Sequence, residues 1–298
     1  MKSRLILAMP AFVLFAGARA QMPITVSDDS LKIGNGLIPA LSVTIPESDY
    51  DRTLKIWIRD LQAGTKSKVI TENGEMSIFG AKFKSITANP LNVYSKLDRL
   101  DSMLVLTASF ELKKDQYIDK SIGGPEYSKA IDYLKQFAKE RYIEVAKNQA
   151  DAEERKLRDL QKELSSLENE KSRMQRSIQS NNTSISDEKE NITTQTAELN
   201  TVNASLAEQN GQLTGMEEGP ARKEKSDQIK ELEKRKKKAQ NSLDASENRI
   251  NRSNNEIDKA NSDIPRNERM QEKVREQIDG QQALYQRYAD KLKKIRSY

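Results

Sequence analysis

"NGQLTGMEEGP", residues 210–220, gathers three of the chain's 12 glycines and one of its eight prolines inside a long run of helix-forming residues. It is either a linker between domains or the turn at the end of something, and the periodicity on its two sides decides. Stepping by sevens from Leu157 gives Leu164, Lys171, Ile178, Ile185, Ile192, Leu199, Leu206 and Leu213, so eight of nine positions are apolar in a chain that is 36% apolar. Three residues after each come Leu160, Leu167, Met174, Asn181, Glu188, Gln195, Val202, Gln209 and Met216. Together they form the a and d positions of a heptad seam, with a purer than d. Beyond the stretch, Ile229 opens a second series, Lys236, Leu243, Ile250, Ile257, Ile264, Gln271, Ile278, Tyr285 and Leu292, accompanied by Leu232, Ala239, Ser246, Ser253, Ala260, Asn267, Val274, Gln281, Tyr288 and Ile295.

Two heptad arms of similar length around a Gly-containing break predict an antiparallel helical hairpin in which each arm buries its stripe on the other. The arms are expected over about 127–214 and 220–298, with a tip at 215–219. Gly215 stops the first helix, and Gly219-Pro220 opens the second with proline in its first turn. At about 1.5 Å per residue, arms of nearly 80 residues would reach on the order of 110 Å. A register in which paired residue numbers add to 438 sets Ile178, Ile185, Ile192 and Leu199 against Ala260, Ser253, Ser246 and Ala239, large against small in every layer. A slip of one heptad, to 431, fits nearly as well.

Three features of the hairpin are candidate sites. Met216, Glu217 and Glu218 make an exposed tip of one apolar residue beside two acids, read as a plain turn or as a partner-docking tip. Asn181, Glu188 and Gln195 are polar d residues set against Ile257, Ile250 and Leu243; they either fix the register or mark where another chain joins. Pro265 interrupts the second arm, where it removes a backbone donor at a cost of roughly 3 kcal/mol. A kink is expected there, as a hinge or as a tolerated bend.

Residues 1–20 follow the logic of a secretory signal peptide: Lys2 and Arg4, an apolar core, then Ala18-Arg19-Ala20. Removing them takes three of the 50 basic residues and none of the 45 acids, so the net charge falls from +5 to +2. The basicity largely leaves with the leader, and "KRKKK", residues 234–238, spreads around a helix as solvated surface. No nucleic-acid partner is expected, and no other stretch approaches the roughly 20 apolar residues of a membrane span.

Residues 21–122 hold four of the eight prolines, five of the 12 glycines and the single Trp. Leu41, Val43 and Ile45 alternate as in a strand, whereas Tyr50, Leu54, Trp57, Ile58 and Leu61 share a helix face behind a Ser48 or Asp49 cap and ahead of Gly64. Asn73-Gly74 is a hairpin signal, two further strands follow, and "IGNG", residues 33–36, is a turn. One helix on a mostly antiparallel sheet of about five strands predicts an α+β fold for 21–122, followed by the coiled-coil hairpin over 123–298. Trp57 belongs to the core on this spacing. Tyr127, Tyr133, Phe137 and Tyr142, with Tyr285, Tyr288 and Tyr298, are expected to dock the hairpin's base.

The chain has no His and no Cys. That excludes His-based triads, thiol nucleophiles and ordinary zinc sites, and no catalytic residue, cofactor or metal site is assigned. The leader and the long coiled coil resemble efflux-pump adaptor proteins, murein-hydrolase activators and, more loosely, the Skp-like holdase chaperones; the resemblance covers those two generic features alone. The expected function is a secreted, periplasmic or cell-envelope, non-enzymatic protein that uses its hairpin as spacer, scaffold or partner-docking arm, with unidentified protein partners and self-association through the coiled coil left open. A periplasmic holdase chaperone is the alternative, and a carboxylate-based enzyme in the globular domain is the third reading.

Overall fold

A computed structural model describes residues 23–34, 36–122 and 124–297. The signal-peptide reading at 1–20, and Tyr298, lie outside the described residues. By contact the chain divides into two compact units: one runs up to Arg155 and takes back the chain from Gln282, and the other is Lys156–Gln281.

The first unit is built on a seven-stranded sheet in which every pairing is antiparallel: β1 (Val26–Ile33), β2 (Gly36–Pro46), β3 (Ile70–Glu72), β4 (Glu75–Ala81), β5 (Leu91–Leu100), β6 (Met103–Lys113) and β7 (Gln116–Tyr117). The order is β1-β2-β6-β5-β4-β3, with β7 on β6. Alternation puts Leu41, Val43 and Ile45 of β2 and Leu104, Leu106, Ala108 and Phe110 of β6 into one core. Helix α1 (Tyr50–Leu61) lays its apolar face on that core, and its first turn is capped by Asp49, which accepts the Arg52 N–H at 2.8 Å. Trp57 is fully buried there, and its indole N–H donates to Ser95 Oγ at 2.9 Å, so its one polar atom is satisfied. Asn73 and Gly74 both take positive φ, 50° and 83°, as a two-residue turn between β3 and β4 requires.

The sheet is larger than the alternation pattern predicts. β1 went unread because its sequence, VSDDSLKI, is an edge strand with only Leu31 buried, so no apolar period marks it. β7, at two residues, is too short to leave a pattern.

Helix α2 (Gly124–Thr214) begins with Pro125 in its first turn. Its first four turns are part of the globular core rather than an appendage to it. Ala130, Leu134, Phe137 and Ala138 are buried there, and Phe137 meets Trp57 edge-on at 5.2 Å. The sequence places these aromatics at the hairpin's base, and Tyr133 and Phe137 do carry that packing. Tyr142, Ala146 and Ile295 form a second buried cluster that joins α2 to the last turns of α3 (Pro220–Arg296).

In the second unit, α2 and α3 run antiparallel as a hairpin. The heptad reading holds position by position: from Leu157 to Met216 every a and d residue is buried or half-buried. From Ile229 to Ile278 the same is true apart from Lys236, which is exposed. The cross-arm pairs Asn181–Glu256, Glu188–Arg249, Asn191–Ser246 and Glu170–Asn267 all have residue numbers that add to 437. That is the 438 register within one residue, and not 431. Ala239, Ser246 and Ala260, the small halves of the expected layers, are buried.

Candidate functional site

The tip is where the two heptads require it. α2 ends at Thr214 and α3 begins at Pro220. Gly215 N–H donates to Gln212 O at 3.3 Å and Met216 N–H to Leu213 O at 3.2 Å, which closes the last turn of α2. Arg222 reaches back from the first turn of α3, donating to Met216 O at 2.8 Å and lying 3.9 Å from Glu218. Lys225 bonds Gln209 at 2.6 Å and Gln212 at 2.9 Å, and beneath it Val202, Leu206 and Ile229 are buried together. The turn is therefore clamped on both strands of the hairpin. Glu217 and Glu218 are exposed, as expected, whereas Met216 is half-buried rather than exposed, as its place at the last d position of the seam requires.

The polar mid-seam is bonded within the hairpin. Asn181 donates its amide to Glu256 at 3.0 Å, and Arg249 grips both carboxylate oxygens of Glu188, with Nη2 at 2.9 Å from Oε2. The guanidinium holds the Glu188 carboxyl below its ordinary range, and Ser246 adds to that. Asn191, which the sequence reading did not single out, donates to the buried Ser246 at 2.7 Å. Gln195 is half-buried in the next layer.

Pro265 lies within α3, which continues through it. Two and six residues on, Asn267 and Gln271 are buried polar side chains bonded to each other at 2.7 Å, with Asn267 donating to Glu170 at 3.2 Å and Arg275 to Gln271 at 3.2 Å. The proline thus abuts the most polar layer of the lower seam, as the register implies. Of the basic run, Lys234 pairs with Glu231 at 2.5 Å and Arg235 with Glu198 at 2.6 Å, while Lys236, Lys237 and Lys238 are exposed.

Several carboxylates of the first unit have structural duties. A hollow of about 480 Å³ gathers Glu47, Asp49, Asp51 and Asp101. In it Glu47 is bound to Lys291, Asp49 caps α1, and Asp51 lies 3.6 Å from Arg99. Glu111, 7% exposed on β6, accepts from Asn92 at 2.8 Å, the Tyr94 hydroxyl at 3.4 Å and the Asp115 N–H at 2.9 Å. Asn92 in turn accepts the Gly80 N–H at 3.2 Å, so this network ties down the β4 bulge between Ile78 and Ala81. Periodicity gives no sign of it, because a buried Glu on a strand reads as solvent-facing. Among the described residues, no group of three or more His, Cys, Asp or Glu is placed to hold a metal ion, and no helix is long and apolar enough to cross a membrane.

Comparison of the sequence with protein-family models found no match, and comparison with curated proteins found none either.

Proposed function

We propose that this chain is a secreted, non-enzymatic interaction protein of the bacterial periplasm or cell envelope, in which the coiled-coil hairpin serves as a spacer and partner-docking arm. The observation that carries the reading is the clamped tip. Arg222 and Lys225 fix the turn from the α3 side, and two exposed acids, Glu217 and Glu218, are presented on a pre-formed loop. A rigid loop loses little conformational entropy on binding, which favours recognition. The leader-like residues 1–20 support the compartment, and the absence of His and Cys from the whole chain supports a mechanical rather than catalytic role. Protein partners that offer a basic, partly apolar surface suit this tip.

The test is affinity capture from cell-envelope extract with the full chain and with a tip variant carrying Met216→Ser, Glu217→Gln and Glu218→Gln. Unchanged helicity with loss of a captured partner supports docking at the tip. An identical set of captured proteins from both chains places function elsewhere.

A further inference from the structure

The two sides of the hairpin's middle are not alike. In an antiparallel pair the a residues of both helices lie toward one side of the seam and the d residues toward the other, each flanked by its own rim. On the d side the seam is roofed by cross-arm polar bonds: Asn181–Glu256, Glu188–Arg249, Asn191–Ser246 and Glu198–Arg235. On the a side, below this stretch, Lys171–Glu268 at 2.7 Å and Glu168–Arg275 at 2.9 Å form a comparable roof. Between Ile178 and Leu199 on α2, and between Leu243 and Ile264 on α3, no ion pair roofs the a side among the described residues. All eight aliphatic a residues of that stretch are half-exposed. Their α2 rim is made of short uncharged side chains such as Asn182, Thr196 and Asn203, with Lys189 as its one charge. A solvated coiled coil usually carries charged rims on both sides, so this open side is built to be covered.

We infer that the open a side is a self-association surface, covered by the same side of a second copy of this chain. Lys189 on the α2 rim and Glu247 on the α3 rim are both exposed, and their numbers add to 436, which sets them at one level of the hairpin. Among the described residues neither makes an ion pair. A two-fold axis running along the stripe lays α2 of one copy on α3 of the other, and Lys189 of each copy then meets Glu247 of its mate. The alternative axis, across the stripe, would oppose Lys189 to Lys189 and Glu247 to Glu247, so the two tips lie at the same end. The 22-residue stripe is about 33 Å long and two helices, about 20 Å, wide. Face-to-face contact therefore buries roughly 1,300 Å² in total, within the size of specific interfaces. The surface lies on the opposite side of the seam from Asn181 and Glu188, whose partners are within their own hairpin. This inference goes beyond the docking role of the tip and stands independently of it.

The test uses the full-length chain, which has no cysteine, so each Cys variant carries a single thiol. Sedimentation should give a concentration-dependent dimer. Lys189→Glu should weaken it roughly tenfold or more, and Lys189→Glu with Glu247→Lys should restore it, with circular dichroism showing equal helicity throughout. A mixture of Lys189→Cys chains with Glu247→Cys chains should form a disulfide-linked dimer under mild oxidation, while neither variant does so alone. A wild-type chain that stays monomeric overturns the inference, whether or not another protein or an unfolded client covers the stripe. Cross-linking of either variant by itself as efficient as in the mixture also overturns it.

Discussion

Lys291 Nζ lies 2.8 and 2.6 Å from the two carboxylate oxygens of Glu47, a residue 244 positions earlier in the chain. Gln149 completes the cluster, accepting from Lys291 at 3.0 Å and donating to Glu47 at 3.1 Å. Glu47 holds a backbone φ of 54°, a conformation costly for any residue with a side chain, so the ion pair is retained against local strain. Three separate elements, the β2–α1 turn, α2 and α3, meet at this one carboxylate.

Burial pushes the Glu47 carboxyl up, but bonds from Lys291 and Gln149 outweigh it and leave the pKa below its ordinary value. A depressed carboxylate contributes stability at pH above the ordinary glutamate value and loses it as pH falls through the folded value. Glu47→Gln should therefore lower stability by about 1–3 kcal/mol at neutral pH and flatten the acid limb of the stability profile, measured by urea unfolding at several pH values. Glu47→Gly, which removes the strain along with the charge, should cost less than Glu47→Gln; an equal or larger loss would show that the backbone there is not strained.

Trp57→Ala should cost about 3–5 kcal/mol in chemical unfolding, the usual range for deleting a buried large aromatic side chain. Because Phe137 and Tyr133 of α2 pack on the same ring, the loss should also loosen the first turns of α2. Faster hydrogen exchange over residues 130–138 in the variant checks this, and unchanged exchange would contradict shared packing.

The heptad seam, the tip, α1 with its cap and the Asn73-Gly74 turn were legible in the sequence, because each rests on a local period or a local backbone requirement. The register was legible only to within one heptad: large-against-small layering allows 438 and nearly as well 431, and the cross-arm bonds decide between them. What could not be read depends on partners distant in sequence. β1 is a polar edge strand marked by its pairing with β2, Glu111 is buried by Asn92 and Tyr94, and the open side of the mid-seam emerges only once Asn181–Glu256, Glu188–Arg249 and Asn191–Ser246 are seen to bond on the other side. At the tip two readings of Met216 competed: the turn makes it exposed and the heptad makes it the last d residue, and its half-burial follows the heptad.

Asn191 and Ser246 test what the polar layers contribute. Asn191→Ala should destabilise the hairpin by about 0.5–1.5 kcal/mol, and adding Ser246→Ala should recover part of that by removing a buried hydroxyl that has lost a partner. Strict additivity of the two changes in a double-mutant cycle would show that their 2.7 Å bond does not hold the register.

Pro265→Ala restores a backbone donor in α3 and should stabilise the hairpin by up to roughly 3 kcal/mol. In the wild-type chain, amide exchange over residues 262–268 should exceed that of the flanking turns, and the variant should erase the difference. Exchange no faster there than in the flanking turns makes the proline a tolerated bend and removes the hinge.

The most direct test of the docking arm is site-specific photo-crosslinking of the full chain in intact cell envelopes, with the probe at Glu217 of the tip or at exposed Arg252 of the arm. The account predicts a discrete protein adduct from Glu217, absent from Arg252 and lost when Met216 and Glu218 are replaced by Ser and Gln. No adduct at Glu217, or the same adduct from both positions, would contradict it.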